Sequence, residues 1–304
     1  MALLRRAGIE FVPPDRCLIG RSRGCDLVLA ARDVSGEHAV LQWNGARWEL
    51  RDLGSRNGTS VDGQRLAAGA RMELQAGAEL GFGREAATWL LADDAAPQAM
   101  AVAVEGGACV LSEGGYLALP GPEAPTLAVF QDAAGAWVAE GADGVRAIAD
   151  RALVEAGGLW RVHLPAACAG TWDEGVAPVL VASLRLRFTV SRDEEQVALV
   201  AWAGDREIDL QARAHHYPLL TLARRRLADR RAGLSAADEG WLRQDELRTM
   251  LRLREDHLSI SIHRARAQLG KAGVADAAAV IERRPGTRWI RLGVAAIEVV
   301  TGSL

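Results

Sequence analysis

The chain has 304 residues, 49% of them hydrophobic, with 36 basic and 39 acidic side chains and a net charge of −3. That length accommodates two or three domains with cores of their own. No run of about 18 apolar residues occurs, so no membrane span is expected, and Met1-Ala2-Leu3-Leu4-Arg5-Arg6 reaches Pro13-Pro14 without the long apolar stretch of a secretion signal.

The charge is unevenly placed. Residues 184–304 hold 21 basic and 16 acidic side chains, and the remainder carries a net −8. A modestly basic C-terminal third on an acidic body hints at a polyanion partner there. Cys17, Cys25, Cys109 and Cys168 are widely spaced and form no C-x-x-C. Buried, reduced thiols are expected rather than a zinc site or a disulfide framework, which fits a cytoplasm. Lys271 is the single lysine among many arginines and alanines, a pattern of GC-rich coding more than of function.

From Gly8 to about Leu91 the chain reads as short strands separated by Gly, Asp, Asn and Arg turns. Examples are Leu27-Val28-Leu29, Ala39-Val40-Leu41-Gln42-Trp43 and Arg47-Trp48-Glu49-Leu50. No helical period is sustained, and the spacing predicts an antiparallel sandwich. Ala92–Gln98 reads as a linker.

Residues 99–178 read as a second β-rich unit that echoes the first. Ala128-Val129-Phe130-Gln131 with Gly135-Ala136-Trp137 matches Ala39-Val40-Leu41-Gln42 with Gly45-Ala46-Arg47-Trp48. Asp143-Gly144-Val145-Arg146 matches Asp62-Gly63-Gln64-Arg65, and Glu155-Ala156-Gly157 falls near Gln75-Ala76-Gly77. Two explanations stand: a degenerate repeat that kept its sandwich and lost its turn motifs, or chance likeness among Ala-, Val- and Gly-rich strands.

The last third changes character. Arg185–Val190, Gln196–Val200 and Glu207–Leu210 read as strands. Leu219, Leu220, Leu222, Ala223 and Leu227 define one face of a helix over 217–231, which starts at Pro218 and stops at Gly233. Trp241, Leu242, Leu247, Met250 and Leu251 mark a second helix. Leu258, Ile260, Ile262, Ala265 and Leu269 mark a third, stopped near Gly270 and Gly273. Val280–Arg284, a Pro285-Gly286 turn and Arg288–Leu292 predict a hairpin.

Three turn motifs carry the most information: Gly20-Arg21, then Ser35-Gly36-Glu37-His38 fourteen residues after Arg21, then Leu53-Gly54-Ser55-Arg56-Asn57-Gly58-Thr59. Together, over about 75 residues, they resemble the forkhead-associated (FHA) domain, a β-sandwich that reads phosphothreonine. The resemblance implies that Arg21 supplies the planar cation a dianionic phosphate needs. It implies that Ser35 donates a hydroxyl, that Asn57 bonds the peptide main chain, and that Arg56 adds a contact near the phosphate. Gly20, His38 and Gly58 would brace the loops. Gly36 departs from the family, which often has a basic or polar residue there, so this position offers only backbone to the peptide. The alternative is a sandwich that no longer binds phosphate.

In the C-terminal third, Leu258-Ser259-Ile260-Ser261-Ile262-His263-Arg264-Ala265-Arg266-Ala267-Gln268-Leu269 and Arg284-Pro285-Gly286-Thr287-Arg288-Trp289-Ile290-Arg291-Leu292 are the notable stretches. With three helices between strands and a hairpin, they resemble the OmpR-type winged helix-turn-helix. That resemblance implies double-stranded DNA as a partner. The third helix would enter the major groove with Ser259, Ser261, His263, Arg264, Arg266 and Gln268, and Arg284 and Arg288 would reach out from the wing. Against this, Arg266 could pair within the domain, and winged helices also bind proteins. Arg224-Arg225-Arg226 reads as a solvated charge run.

No phosphate-binding loop, nucleophile elbow or H-E-x-x-H occurs. The adjacent His215 and His216 should diverge and so make a poor metal pair. No enzyme activity, cofactor or metal is expected.

The fold class expected is therefore multidomain: an all-β FHA sandwich at 1–92, a central β-rich, FHA-like unit at 99–178, and an α+β winged helix at 184–304. The function expected is that of a cytoplasmic bacterial transcription regulator. It would dock a phosphothreonine-bearing protein, a Ser/Thr kinase or its substrate. The alternative is an adaptor that binds no DNA. The central unit would space or couple the ends, or form a homodimer interface.

Overall fold

The computed structural model describes residues 1–84, 88–132, 134–141, 144–166, 179–284 and 287–302. The chain forms two compact units, Met1–Ala99 with His163–Ala169, and Met100–Val162 with Gly170–Leu304. The expected boundary near 178–184 borders residues 167–178, which lie outside the described residues, as does Cys168.

The first unit is built from β1 (Leu3–Arg6), β2 (Ile9–Phe11), β3 (Arg16–Gly20), β4 (Leu27–Val28), β5 (Ala39–Trp43), β6 (Trp48–Asp52), β7 (Thr59–Val61), β8 (Gln64–Arg65), β9 (Arg71–Leu74), β10 (Glu79–Phe82) and β11 (Trp89–Asp93). They make two sheets, ordered β2-β1-β11-β10-β7-β8 and β4-β3-β5-β6-β9. Period-2 alternation decides what is inside. On β5 and β6, Ala39, Leu41, Trp48 and Leu50 turn into the core with Cys17, Ile19, Leu80 and Phe82. Gln42 and Arg51, which follow Leu41 and Leu50, are exposed. Asp62 (φ 51°) and Gly63 (φ 76°) close the β7–β8 hairpin in the left-handed region, the turn chemistry such a two-residue loop demands.

The second unit begins with β12 (Met100–Ala103), β13 (Cys109–Leu111), β14 (Tyr116–Leu119), β15 (Leu127–Gln131), β16 (Trp137–Gly141), β17 (Gly144–Ala147), β18 (Leu153–Glu155) and β19 (Leu159–His163). Its sheets are ordered β13-β12-β19-β18 and β14-β15-β16-β17. Removing β4, β7 and β8 from the first unit gives β2-β1-β11-β10 and β3-β5-β6-β9, the same two orders strand for strand. The individual residue matches are not equivalent positions, however. Ala39 faces the core of the first sandwich. Its match Ala128 sits with Tyr116, Ala118, Phe130 and Val138 in a cluster that packs against Ala278 from outside the sandwich. A one-residue slip in a strand reverses its faces. Likewise Val145-Arg146 lie on β17, which pairs with β16, whereas Gln64-Arg65 lie on β8 in the other sheet.

The rest of the unit contains β20 (Leu184–Val190), β21 (Val197–Ala203), β22 (Arg206–Ala212), α1 (Tyr217–Arg231), β23 (Leu242–Arg243), α2 (Gln244–Met250), α3 (Glu255–Lys271), β24 (Ile281–Arg283), β25 (Trp289–Leu292) and β26 (Ala296–Thr301). β26 returns parallel to β20 to complete the sheet β22-β21-β20-β26, and β23-β25-β24 form a small sheet of their own. One core holds Leu186, Phe188, Leu199, Leu219, Leu222, Leu258, Ile262 and Leu269 together. α1 starts with Pro218 in its first turn, as expected. The second helix is shorter than its apolar pattern implied, because Leu242-Arg243 are taken by pairing with Ile290 and Trp289.

Three further expectations are corrected. Cys109 is exposed, while Cys17 and Cys25 are buried. Arg226 is not solvated: it is 4% exposed and bonds Glu239 at 2.8 Å and the carbonyls of Leu292 and Val294. His215 and His216 do not diverge, since a tight turn over Ala214–His216 brings both Nε2 atoms onto Gln268 Oε1, at 2.8 and 2.9 Å. Among the described residues no helix is long and apolar enough to cross a membrane, and no cluster of three metal-ligating side chains occurs.

Candidate functional site

At one end of the first sandwich the β3–β4, β4–β5 and β6–β7 connections are bonded into a single cradle. The Arg21 N–H donates to the Ser35 carbonyl and the Ser22 N–H to the Gly36 carbonyl, both at 2.9 Å. This approach is close enough that a Cβ on Gly20 would lie 2.2 Å from the Gly36 oxygen. Arg21 is exposed, and its Nε is held by the Val34 carbonyl at 3.2 Å. The guanidinium is thus tethered by one N–H, which leaves its terminal nitrogens for a ligand.

Ser35 is half-buried, and its Oγ accepts the Arg56 backbone N–H at 3.0 Å. A hydroxyl that accepts from the protein keeps its own proton to donate outward. Asn57 Nδ2 donates to the Asp33 carbonyl at 2.7 Å, which fixes the amide plane and leaves Oδ1 as an acceptor. The Arg56 side chain is exposed. Gly36 contributes only backbone, and a Cβ there would meet Ser22 Oγ at 2.9 Å. The predicted residues Arg21, Ser35, Gly36, Arg56 and Asn57 therefore converge on one end of the unit.

His38 and Gly58 brace this end from inside. His38 is fully buried and accepts the Ser35 N–H at Nδ1, 3.0 Å, while Nε2 meets the Gly58 carbonyl at 3.0 Å. Gly58 has φ +86°, in the region where glycine carries no penalty, and a Cβ there would strike the Arg65 guanidinium at 2.5 Å.

Sequence reasoning missed the group that shapes the third loop. Asp52 is 2% exposed and accepts the Gly54 and Ser55 N–H groups and the Ser55 and Thr59 hydroxyls, all within 2.9 Å. Burial raises its pKa, but the Ser55 and Thr59 hydroxyls and these N–H donors outweigh that and hold it below the ordinary carboxylate value. The signal was present: an Asp two and three residues before Gly-Ser is an Asx-turn arrangement. Asp33 was missed as well, although its carbonyl positions Asn57.

The FHA domain family model matches residues 17–83. Residues 17–83 are an FHA domain. Protein phosphatase 2C 70 of Arabidopsis thaliana is 43% identical over 51 residues, 16% of this chain and 9% of that protein. The FHA domain-containing protein FhaB of Mycobacterium tuberculosis is 39% identical over 57 residues, 19% of this chain and 37% of FhaB. Among solved structures, Mycobacterium tuberculosis EmbR in complex with a low-affinity phosphopeptide is 26% identical with a TM-score of 0.28, over 31% of this chain and 25% of EmbR. The chain spans little more than a third of FhaB and under a tenth of the phosphatase.

The residues expected to meet DNA are scattered by comparison. His263 and Arg266 are buried and Gln268 is half-buried, which corrects the reading of α3 as presenting all of them to a groove. His263 is 4% exposed and packs on the Tyr116 ring at 5.1 Å. Arg266 is 1% exposed and bonds Glu140 at 3.2 Å and Tyr116 Oη at 3.1 Å. Gln268 is spent on His215, His216 and the Leu210 carbonyl. Ser259 and Ser261 are half-buried. Arg264 is exposed and pairs with Glu123 at 3.3 Å. Arg284 lies over Trp241 at 4.5 Å, and Arg288 pairs with Asp245 at 3.2 Å. The Pro285-Gly286 turn lies outside the described residues.

Proposed function

We propose that this chain is a phosphothreonine-dependent signalling protein of the bacterial cytoplasm. Its FHA domain docks a phosphorylated segment of a Ser/Thr kinase or of a kinase substrate. One observation carries the reading: an exposed, tethered guanidinium (Arg21), a hydroxyl with its proton free (Ser35) and an amide with a free acceptor (Asn57) sit on three loops bonded to each other. Arg21 neutralises the phosphate, Ser35 donates to a phosphate oxygen, and Asn57 holds a peptide N–H. Arg56 engages an acidic flank.

The test is titration of the full chain with phosphothreonine, phosphoserine and unphosphorylated versions of a peptide library. Phosphothreonine peptides should bind selectively, and Arg21→Ala should abolish that binding without changing thermal stability. Binding that survives Arg21→Ala sinks the site assignment.

A second reading keeps the transcription regulator, with DNA held by α3 and the β24–β25 hairpin. Its support is the order α1, α2, α3 and hairpin, with β23 paired to the hairpin beneath the helices. Arg264, Arg284, Arg288, Ser259 and Ser261 are the residues it relies on. Burial of His263 and Arg266 favours instead the adaptor that binds no DNA. The two separate on binding of fragmented genomic DNA across a salt series, where DNA contact requires affinity that falls steeply with salt.

A further inference from the structure

In the second unit, each of four cations from the C-terminal third is met by a carboxylate of the β12–β19 sandwich. Arg266 and Arg283 share the buried Glu140, at 3.2 and 2.7 Å. Arg264 reaches Glu123 at 3.3 Å, and Lys271 reaches Glu113 at 2.8 Å. In these four pairs the positive charge is always on the α3–β24 side and the negative charge on the sandwich.

The contact has the anatomy of an association surface rather than of a domain core. Its centre is aromatic and arginine-rich: the Arg266 guanidinium lies 4.9 Å from the Phe130 ring and 5.3 Å from the Tyr116 ring. Its edges are exposed ion pairs. That layout is typical where two folded bodies meet, whereas a buried ion pair adds little stability to a core that apolar groups could fill. The sandwich itself does not require this face. In the first unit the same sheet turns Arg16, Gln42, Arg51, Arg71 and Glu73 outward, all exposed. In the second, the outward face is Tyr116, Ala118, Ala128, Phe130 and Val138.

We infer that the central sandwich is a phosphate-blind counterpart of the FHA fold whose outer sheet face is a docking surface, aromatic around the buried Glu140 and flanked by Glu113 and Glu123. It holds the cationic face of α3 with carboxylates where a polyanion would place phosphates. Double-stranded DNA and the sandwich then compete for α3. The inference rests on the DNA reading above and adds that the closed arrangement is the one that cannot bind.

The test uses the full chain with Glu113→Gln and Glu123→Gln together. Both side chains are exposed and outside the sandwich core, so the fold is kept. Two readouts are taken at one low salt concentration: amide exchange across α3, and affinity for random-sequence double-stranded DNA. Faster α3 exchange with roughly fivefold tighter DNA binding, the size expected for losing two exposed pairs, is the supporting result. Equal DNA affinity of variant and parent overturns the competition while leaving DNA binding itself standing. Faster exchange with no DNA binding by either overturns the inference together with the DNA reading. Unchanged exchange and no DNA binding shows a permanent contact and overturns it too. Phosphopeptide binding by the FHA domain, read separately, is untouched by all four.

Discussion

His38 Nε2 lies 3.0 Å from the Gly58 carbonyl while its Nδ1 accepts the Ser35 N–H at 3.0 Å. Because Nδ1 accepts, the proton is on Nε2 and the ring is neutral. One buried imidazole therefore ties the Ser35 loop to the Asn57-Gly58 loop from inside the sandwich. His38→Ala should remove two hydrogen bonds and leave a cavity, costing about 3 kcal/mol of FHA-domain stability. Phosphopeptide affinity should fall as well. Thermal unfolding and peptide titration check this together: Arg21→Ala should move only the second measurement, His38→Ala both.

Gly20 is fixed by space rather than by dihedral angle. A Cβ there would sit 2.2 Å from the Gly36 carbonyl oxygen, a backbone atom that cannot turn aside. Gly20→Ala should push the Arg21 and Ser35 loops apart, at a cost of about 3 kcal/mol or more. Gly24→Ala is the control, because nothing lies within 4 Å of its added Cβ. Denaturant unfolding should separate the two variants clearly.

The FHA cradle was legible because its chemistry is local. Each motif is a turn, and turn residues announce themselves over three or four positions. The three helices were legible from their 3.6-residue period. What α3 buries was legible only in part: an internal partner for Arg266 stood as an alternative, but nothing near it in sequence says which carboxylate that is. Glu140, the partner of Arg266, is 126 residues away in sequence. The same holds for β26, whose parallel pairing with β20 is set by the far end of the chain. The central strand order escaped the residue matches for a related reason: topology survives a one-residue slip, but side-chain faces do not.

Glu239 is a buried carboxylate on which Arg226 and Arg230 converge, at 2.8 and 2.6 Å. Hydrogen bonding from Arg230 lowers its pKa to about 2 against the opposing effect of burial, with Arg226 adding to the lowering. A carboxylate depressed from 4.5 stabilises the fold fully above pH 4.5 and loses that contribution as pH falls toward 2. The linkage is about 3 kcal/mol. Glu239→Gln should destabilise the second unit by an amount of that order at pH 7 and by little at pH 2. Urea unfolding followed by the helical circular dichroism of α1, α2 and α3, which all lie in the second unit, reads it. Equal losses at both pH values would show that Glu239 acts by packing alone.

His263 makes the contact between α3 and the central sandwich sensitive to pH. Its ring packs on Tyr116, and Nδ1 is buried with no hydrogen-bond partner among the described residues. Burial lowers its pKa to about 4; Glu113 opposes this, while Arg266, Arg264 and Lys271 add to it. A histidine depressed from 6.5 is neutral when docked and takes up a proton when released. The docked arrangement should therefore be most stable above pH 6.5 and weaken as pH falls from 6.5 to 4. His216 shifts the same way, to about 4, but is bonded to Gln268 and the Val197 carbonyl within the C-terminal third. The comparison that isolates His263 is thus parent against His263→Phe, with His216 intact. Amide exchange of α3, corrected for intrinsic rates, should quicken between pH 7 and pH 5 in the parent and much less in His263→Phe. An identical pH response in both would place the titrating group elsewhere.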